Sequence, residues 1–278
     1  MDKHPVESGI AGVLRTYELL DRVRTRQALT VRDDQFDYAV FLDAAATARR
    51  RRFPMSLLDT GRFSAGELES LARKGVRILS SDAARPRPQD LEILVRACRA
   101  GRSSLALLFE AAWPAEGADA PLSWQDLQDL VASGMDLHAS NRRVARDPAS
   151  LETLAERSRR GRSFVVLYHH GPLIPELVAP AASGAWVHFT DRSLADDGAA
   201  ALACRIARAA AAGGARAVIT IERTPALEVL EALEGAGAVI RFLTPPAEPR
   251  SALGAIERRA SKRKLPARAV YLSAVVLP

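Results

Sequence analysis

Phe164-Val-Val-Leu-Tyr168-His169-His170-Gly171-Pro172 is a short apolar run that stops at two histidines and a turn. The same pattern recurs along the chain. Tyr38-Ala-Val-Phe-Leu-Asp43, Met55-Ser-Leu-Leu-Asp59, Val76-Arg-Ile-Leu-Ser-Ser-Asp82, Leu105-Ala-Leu-Leu-Phe-Glu110 and Met135-Asp-Leu-His138 precede it; Trp186-Val-His-Phe-Thr-Asp191 and Val218-Ile-Thr-Ile-Glu222 follow. Helix-like segments lie between most of these runs. Apolar strands alternating with helices build a parallel sheet buried on both faces. The expected fold is therefore α/β: a single irregular barrel of seven to eight strand–helix units with mainly parallel strands. An open, doubly wound sheet is the alternative. In either case ligands bind at the carboxyl ends of the strands, where each run places a polar side chain.

The 278 residues suit one barrel domain, with an N-terminal helical extension over about residues 1–34. Aromatic residues make up only 5%, so Leu, Val, Ile and Ala must fill the core. The net charge of +6 comes from a chain rich in arginine. Cys98 and Cys204 belong to no Cys-x-x-Cys pair and read as buried free thiols, which suits a reducing compartment. The N-terminus lacks the apolar core of a signal peptide, and no run approaches the ~18 apolar residues of a membrane span. These features predict a cytoplasmic protein. Arg49-Arg50-Arg51-Arg52 lacks interleaved aromatic residues and ends a helix-like segment. It reads as cations at a helix C-terminus and gives no specific nucleic-acid signal.

Residues 64–82 align without gaps to residues 123–141. Both segments begin with Ser followed three positions later by an acid, close a helix at Gly75 or Gly134, and enter a strand. Helices are further expected at 9–28, 44–53, 148–160, 174–182, 198–212, 225–234 and 251–264, with a last strand at 269–276. The loop from Pro114 to Pro121 is a candidate lid.

Leu122-Ser-Trp124-Gln-Asp-Leu127-Gln-Asp-Leu130-Val-Ala-Ser-Gly134-Met-Asp-Leu-His138 resembles the polysaccharide deacetylases, whose chains carry such a helix before a strand ending in a metal-binding histidine. Leu167-Tyr168-His169-His170-Gly171 is similar to that family's Tyr-Pro-Tyr-Gly turn, and Thr220 to Leu243 to its closing strand, helix and strand. The resemblance implies an irregular barrel and assigns a metal-ligand position to His138. The rest of the motif departs. Only Asp43-Ala44 or Ser81-Asp82-Ala83 stands where paired aspartates belong, Arg142 stands at the second histidine, and Glu222-Arg223 replaces the closing catalytic histidine. A zinc centre needs about three protein ligands and an open position. The resemblance thus implies a catalytically degenerate relative, a binding or assembly protein with no cofactor.

Several side chains remain candidates for chemistry. Asp43, Asp59, Asp82 and Glu110 could form a carboxylate cluster for a divalent cation or acid–base work; alternatively they cap helix N-termini. His169 and His170 are adjacent, so on a strand they face opposite ways, and one could act in catalysis. Asp191, Arg192, Glu222, His170 and Arg142 could contact a ligand, with Arg142, Arg192 and Arg223 favouring an anionic or polyhydroxylated one. Three functional classes are open. One is a binding or assembly barrel for a glycan, an anionic ligand or a protein partner. The second is a metal-dependent hydrolase, with zinc or another divalent metal, drawing its ligands from Asp43, Asp82, Glu110, His138 and His169 or His170. The third is a metal-free carbohydrate- or phosphate-acting enzyme using the strand-end carboxylates.

Overall fold

The computed structural model describes residues 15–25, 29–114, 120–223, 225–244, 251–262 and 266–270. The described strands are β1 (Leu29–Arg32), β2 (Met55–Leu58), β3 (Arg77–Ser81), β4 (Leu105–Phe109), β5 (Asp136–Ser140), β6 (Val165–Tyr168), β7 (Trp186–Thr190), β8 (Ala217–Ile221) and β9 (Val239–Phe242). They form one sheet in strict chain order, parallel in each pair for which the register is given. Sequential winding is the order of an α/β barrel; a doubly wound sheet reverses its order at a switch point. Between the strands run α2 (Tyr38–Arg50), α3 (Ala65–Arg73), α4 (Pro88–Gly101), α5 (Trp124–Ala132), α6 (Pro148–Gly161), α7 (Val178–Ala182), α8 (Asp197–Ala212) and α9 (Leu227–Gly235). α1 (Thr16–Arg24) precedes them, and α10 (Ala252–Lys262) and α11 (Ala267–Val270) follow. Two compact units can be delineated: 1–137 with 161–163, and 138–160 with 164–278.

The first expected strand is a helix. Tyr38–Asp43 opens α2, in which Phe41, Ala44, Ala45 and Ala48 are buried at helical spacing. Alanine favours that state, and a short apolar run alone does not separate strand from helix. The true first strand is Leu29-Thr-Val-Arg32, with Leu29 and Val31 buried in alternation. It lies inside the stretch expected as a helical extension. Of the expected helix 9–28, residues 16–24 form α1, and 1–14 and 26–28 lie outside the described residues. The start of the expected last strand is also helical: Ala269 and Val270 belong to α11, where the Ala269 amide donates to the Pro266 carbonyl at 2.9 Å. Residues 271–276 lie outside the described residues.

The two aligned segments adopt one conformation. Ser64 and Glu67 cap each other's backbone at α3, as Ser123 and Asp126 do at α5. Gly75 and Gly134 follow with φ of 93° and 106°, values that an L side chain resists. Gly184 and Gly237, at φ 107° and 91°, occupy the matching place after α7 and α9. The intervening helices α2, α4, α6 and α8 are followed by Arg52, Arg102, Arg162 and Gly214, all at positive φ. The chain therefore repeats a two-strand, two-helix motif. The last residue of α4 and of α6, and the residue that follows α8, is a glycine in close contact with the preceding helix. A Cβ on Gly101 would lie 1.9 Å from the Ala72 carbonyl oxygen, one on Gly161 2.3 Å from that of Val131, and one on Gly213 2.4 Å from that of Ala182.

The arginine run belongs to the same pattern. Arg49 donates to the Arg73 carbonyl at 2.6 Å and Arg51 to the Arg24 carbonyl at 2.8 Å, both helix C-terminal acceptors. Arg159 likewise reaches the carbonyls of Ala182 and Gly213 at 3.1 and 3.2 Å. Cys98 and Cys204 are buried free thiols. No helix among the described residues is long and apolar enough to cross a membrane.

Candidate functional site

The side chain one residue past β1, β3, β5 and β7 joins its loop to the loop of the next strand. After β1, Asp33 is fully buried and accepts from the Thr60 amide at 3.0 Å, the Thr60 hydroxyl at 2.6 Å, and the Arg62 and Phe63 amides at 3.2 and 3.4 Å. After β3, Asp82 accepts from the amides of Glu110 at 3.2 Å and Ala111 at 2.8 Å. After β5, Asn141 accepts from the His170 amide at 2.6 Å and donates to the His170 carbonyl at 3.1 Å. After β7, Asp191 accepts from the amides of Glu222 at 3.1 Å and Arg223 at 2.7 Å. These four latches hold loop backbone that the sheet leaves unpaired. Asp82 and Asp191, expected as a catalytic and a ligand-binding residue, are two of them. Asp33 and Asn141 went unremarked, although Asn141 ends the same aligned segment as Asp82.

The side chains past the even-numbered strands differ. Asp59, after β2, is buried. It accepts from Arg85 Nε at 2.8 Å and Nη2 at 2.9 Å, from Ser80 Oγ at 2.7 Å and from the Gly61 amide at 2.9 Å. Arg85 also donates to the Phe63 carbonyl. This forked ion pair has every carboxylate lone-pair direction occupied, which is a structural arrangement. Glu110, after β4, is exposed. His169, after β6, is 5% exposed; Nε2 donates to the Pro172 carbonyl at 2.8 Å, so Nδ1 accepts from Asn141 Nδ2 at 3.1 Å. Burial lowers its pKa, opposed in part by the Pro172 bond, and leaves a neutral ring with both nitrogens engaged. The neighbouring turn is also fixed: Ser193 Oγ donates to the Gly171 carbonyl at 2.7 Å. Glu222, after β8, pairs with Arg192 at 2.6 Å.

Other expected positions move away from the strand ends. Asp43 is exposed on α2 and ends no strand. Arg142 is exposed, its backbone amide donating to Ser140 Oγ at 3.2 Å. His138 sits in the middle of β5, fully buried, with Nδ1 2.9 Å from the Tyr168 hydroxyl. Desolvation pulls its pKa down to about 3. His188, on β7, is also fully buried and is held well below the usual histidine range chiefly by burial, with smaller electrostatic effects of His138 and Arg241 in the same direction. Sequence reading missed this partner because it sits inside the apolar run Trp186–Thr190. Among the described residues, no three His, Cys, Asp or Glu side chains gather in an arrangement that could hold a metal ion.

A cavity of about 440 Å³ opens in the N-terminal unit beside the Asp82 latch. Pro86, Phe109, Pro114, Pro121 and Leu122 form apolar walls, and Asp82 and Glu110 supply its charged groups. The Phe109 ring stacks on Trp113 at 5.3 Å between centroids, and Trp113 meets Trp124 edge-on at 6.1 Å. The described walls thus offer an apolar platform with carboxylates and no cation, which suits a neutral ligand with one apolar face and hydrogen-bond donors along an edge.

No protein-family model and no curated protein matches the chain. Among solved structures, it is similar to deoxyribose phosphate aldolase from Aeropyrum pernix at 12% identity and a TM-score of 0.31, covering 90% of this chain and 99% of that one. A putative fructose-1,6-biphosphate aldolase from Coccidioides immitis is similar at 14% identity and a TM-score of 0.32, covering 91% of this chain and 89% of that one. Similarity this low says nothing about the chemistry of the chain, which has to be argued from its own residues.

Proposed function

We propose that this chain is a catalytically degenerate relative of the polysaccharide deacetylases that binds a ligand or partner without hydrolysing it. The observation that carries the reading is the engagement of the strand-end carboxylates: Asp33, Asp82 and Asp191 accept loop amides, and Asp59 accepts Arg85. A general base or metal ligand needs lone pairs directed at a substrate or ion, and these are directed at the protein. His138, the position assigned to a metal ligand by the resemblance, is enclosed in mid-strand.

The ligand best suited to the N-terminal cavity is a glycan. Sugars present an apolar ring face to aromatic and proline walls and donate hydroxyls to carboxylates such as Glu110. An anionic ligand would meet Asp82 and Glu110 instead of an arginine there.

N-acetylglucosamine oligomers titrated against tryptophan fluorescence test the reading, because Trp113 stacks on a wall of the cavity. A saturable change without acetate release is expected, weakened by Phe109→Ala and Glu110→Gln. Acetate release, together with stoichiometric zinc that disappears in His138→Ala, would replace this reading with the metal-dependent hydrolase. Absence of binding would turn the search to a protein partner.

A further inference from the structure

The N-terminal unit gathers basic side chains at one end of its strands. Helices α2, α3 and α4 end there, at residues 49–52, 73–74 and 99–102. Those residues include eight arginines and lysines, and the others are Ala100 and Gly101. Hydrogen bonds and packing join the three segments. Arg49 donates to the Arg73 carbonyl at 2.6 Å, Ser103 Oγ to the Ala72 carbonyl at 3.2 Å, and a Cβ on Gly75 would lie 3.4 Å from the Gly101 carbonyl oxygen. Arg51, bonded to the Arg24 carbonyl, extends the surface to the end of α1. The carboxyl ends of β1 to β4 instead carry Asp33, Asp34, Asp59, Asp82 and Glu110.

Helix ends alone do not account for this charge. A helix C-terminus presents about half a negative charge, so three of them and Glu69, which pairs with Arg73 at 2.8 Å, offset about two or three of the eight cations. The carbonyl bonds of Arg49 and Arg51 engage single nitrogens and leave the charge in place. Among the described residues, the side chains of Arg52, Lys74, Arg99 and Arg102 make no hydrogen bond or ion pair, and the three arginines are exposed. Arg52 and Arg102 also hold φ of 54° and 56°, where the matching residue after α8 is Gly214. Glycine is free of strain there and arginine is not. An exposed arginine kept at that cost points to a role beyond the fold.

We infer that this face binds the phosphate backbone of double-stranded nucleic acid without regard to sequence. Arginine forks match phosphate oxygens with paired donors, and seven of the eight cations are arginines. Stable membrane attachment needs an apolar anchor beside the cations, and a protein interface needs apolar or aromatic anchors at its centre. The three segments contain neither, and Phe53 beside them is half-buried. Single strands need aromatic rings on which bases stack, which are also absent from the segments. By itself the Arg49–Arg52 run has no residue for base recognition; backbone recognition requires only the cations that the three segments bring together. The inference goes beyond the glycan reading and uses none of its residues.

The test is fluorescence anisotropy of two labelled duplex DNAs of unrelated sequence, titrated with the full chain over a range of KCl concentrations. Saturable binding of equal affinity to both is expected, with the logarithm of the binding constant falling linearly against log salt at a slope of about −4 to −5. Glycine suits the backbone at positions 52 and 102, so Arg52→Gly/Arg102→Gly should fold at least as stably as the wild-type protein. It should nevertheless bind about tenfold or more weakly, with the slope reduced by about two. Lys74→Gln/Arg99→Gln, which alters no backbone preference, should act likewise. Arg62→Gln removes a charge at the carboxyl end and should leave binding within about twofold. No binding at low salt, comparable weakening in Arg62→Gln, or an unchanged slope in the double variants would overturn the inference. So would displacement of the duplex by phosphatidylserine vesicles or by polyglutamate at a lower concentration of charge, which would assign the face to a membrane or to an acidic protein.

Discussion

Each buried polar side chain in this protein is most informative through the state it is denied. His138 is held neutral, with its pKa lowered from 6.5 to about 3 by desolvation. In the unfolded chain it takes up a proton below about pH 6.5, whereas in the folded chain it does so only near pH 3. Its contribution to stability is therefore complete above pH 6.5 and is lost as pH falls toward 3, with a slope of up to about 1.4 kcal/mol per pH unit. His188, shifted in the same direction, steepens that loss. Urea unfolding followed against pH should show the decline, and His138→Gln, which keeps polar atoms without titrating, should flatten it. An unchanged slope in the variant would place the acid sensitivity elsewhere. Asp59 and Arg85 give the complementary case. Arg85→Met leaves a buried carboxylate unpaired and should cost about 3–5 kcal/mol, measured by the same unfolding experiment.

Helix pairing depends on small residues at fixed places. Ala72, Val131 and Ala182 each present a carbonyl to a glycine at the C-terminal end of the following helix, at distances that admit no side chain. Gly213→Ala should destabilise the protein by about 1–3 kcal/mol, because its Cβ would meet backbone at 2.4 Å and backbone cannot step aside as a flexible side chain can. Gly66 provides the contrast. It lies exposed in α3 with nothing within 4 Å of an added Cβ, so Gly66→Ala should stabilise by about 0.5–1 kcal/mol through helix propensity. Thermal unfolding of the two variants should shift in opposite directions. The turn chemistry behind this pattern was legible in the sequence: Ser64 with Glu67, Ser123 with Asp126, and Gly75 and Gly134 each imply their caps locally. β1 was not legible. Leu29–Arg32 is four residues long, while the apolar start of α2 shows the same short-run signal as a strand.

Across the whole molecule, sequential parallel winding places one polar residue just past every strand from β1 to β8. Six of those positions could be read from the alternation of apolar runs and helices; Asp33 and Asn141 could not, because the first run belongs to a helix and β5 continues past His138. Their roles could not, because a carboxylate's role depends on which amide it meets. Asp82 meets Glu110 28 residues away, and Asp191 meets Glu222 31 residues away. No local pattern encodes such a pairing. His188 escaped notice for a related reason: only the sheet register reveals that it stands beside Tyr168, the hydrogen-bond partner of His138.

The acids and the amide after β1, β3, β5 and β7 bond loop backbone, and that bonding predicts a role in stability. Acids retained for catalysis are commonly held at a cost to stability, so removing one leaves the protein equally or more stable. Removing a latch at Asn141 or Asp191 leaves part-buried amides unpaired, at about 1–3 kcal/mol, whereas the Glu110 and Ala111 amides held by Asp82 are exposed and turn to water at about 0.5–1 kcal/mol. The deciding measurement is the unfolding free energy of Asp82→Ala, Asn141→Ala and Asp191→Ala beside the wild-type protein. A loss is predicted for all three, larger in Asn141→Ala and Asp191→Ala than in Asp82→Ala. Unchanged or increased stability in Asp82→Ala and Asp191→Ala would contradict the account and return both carboxylates to the candidates for catalysis.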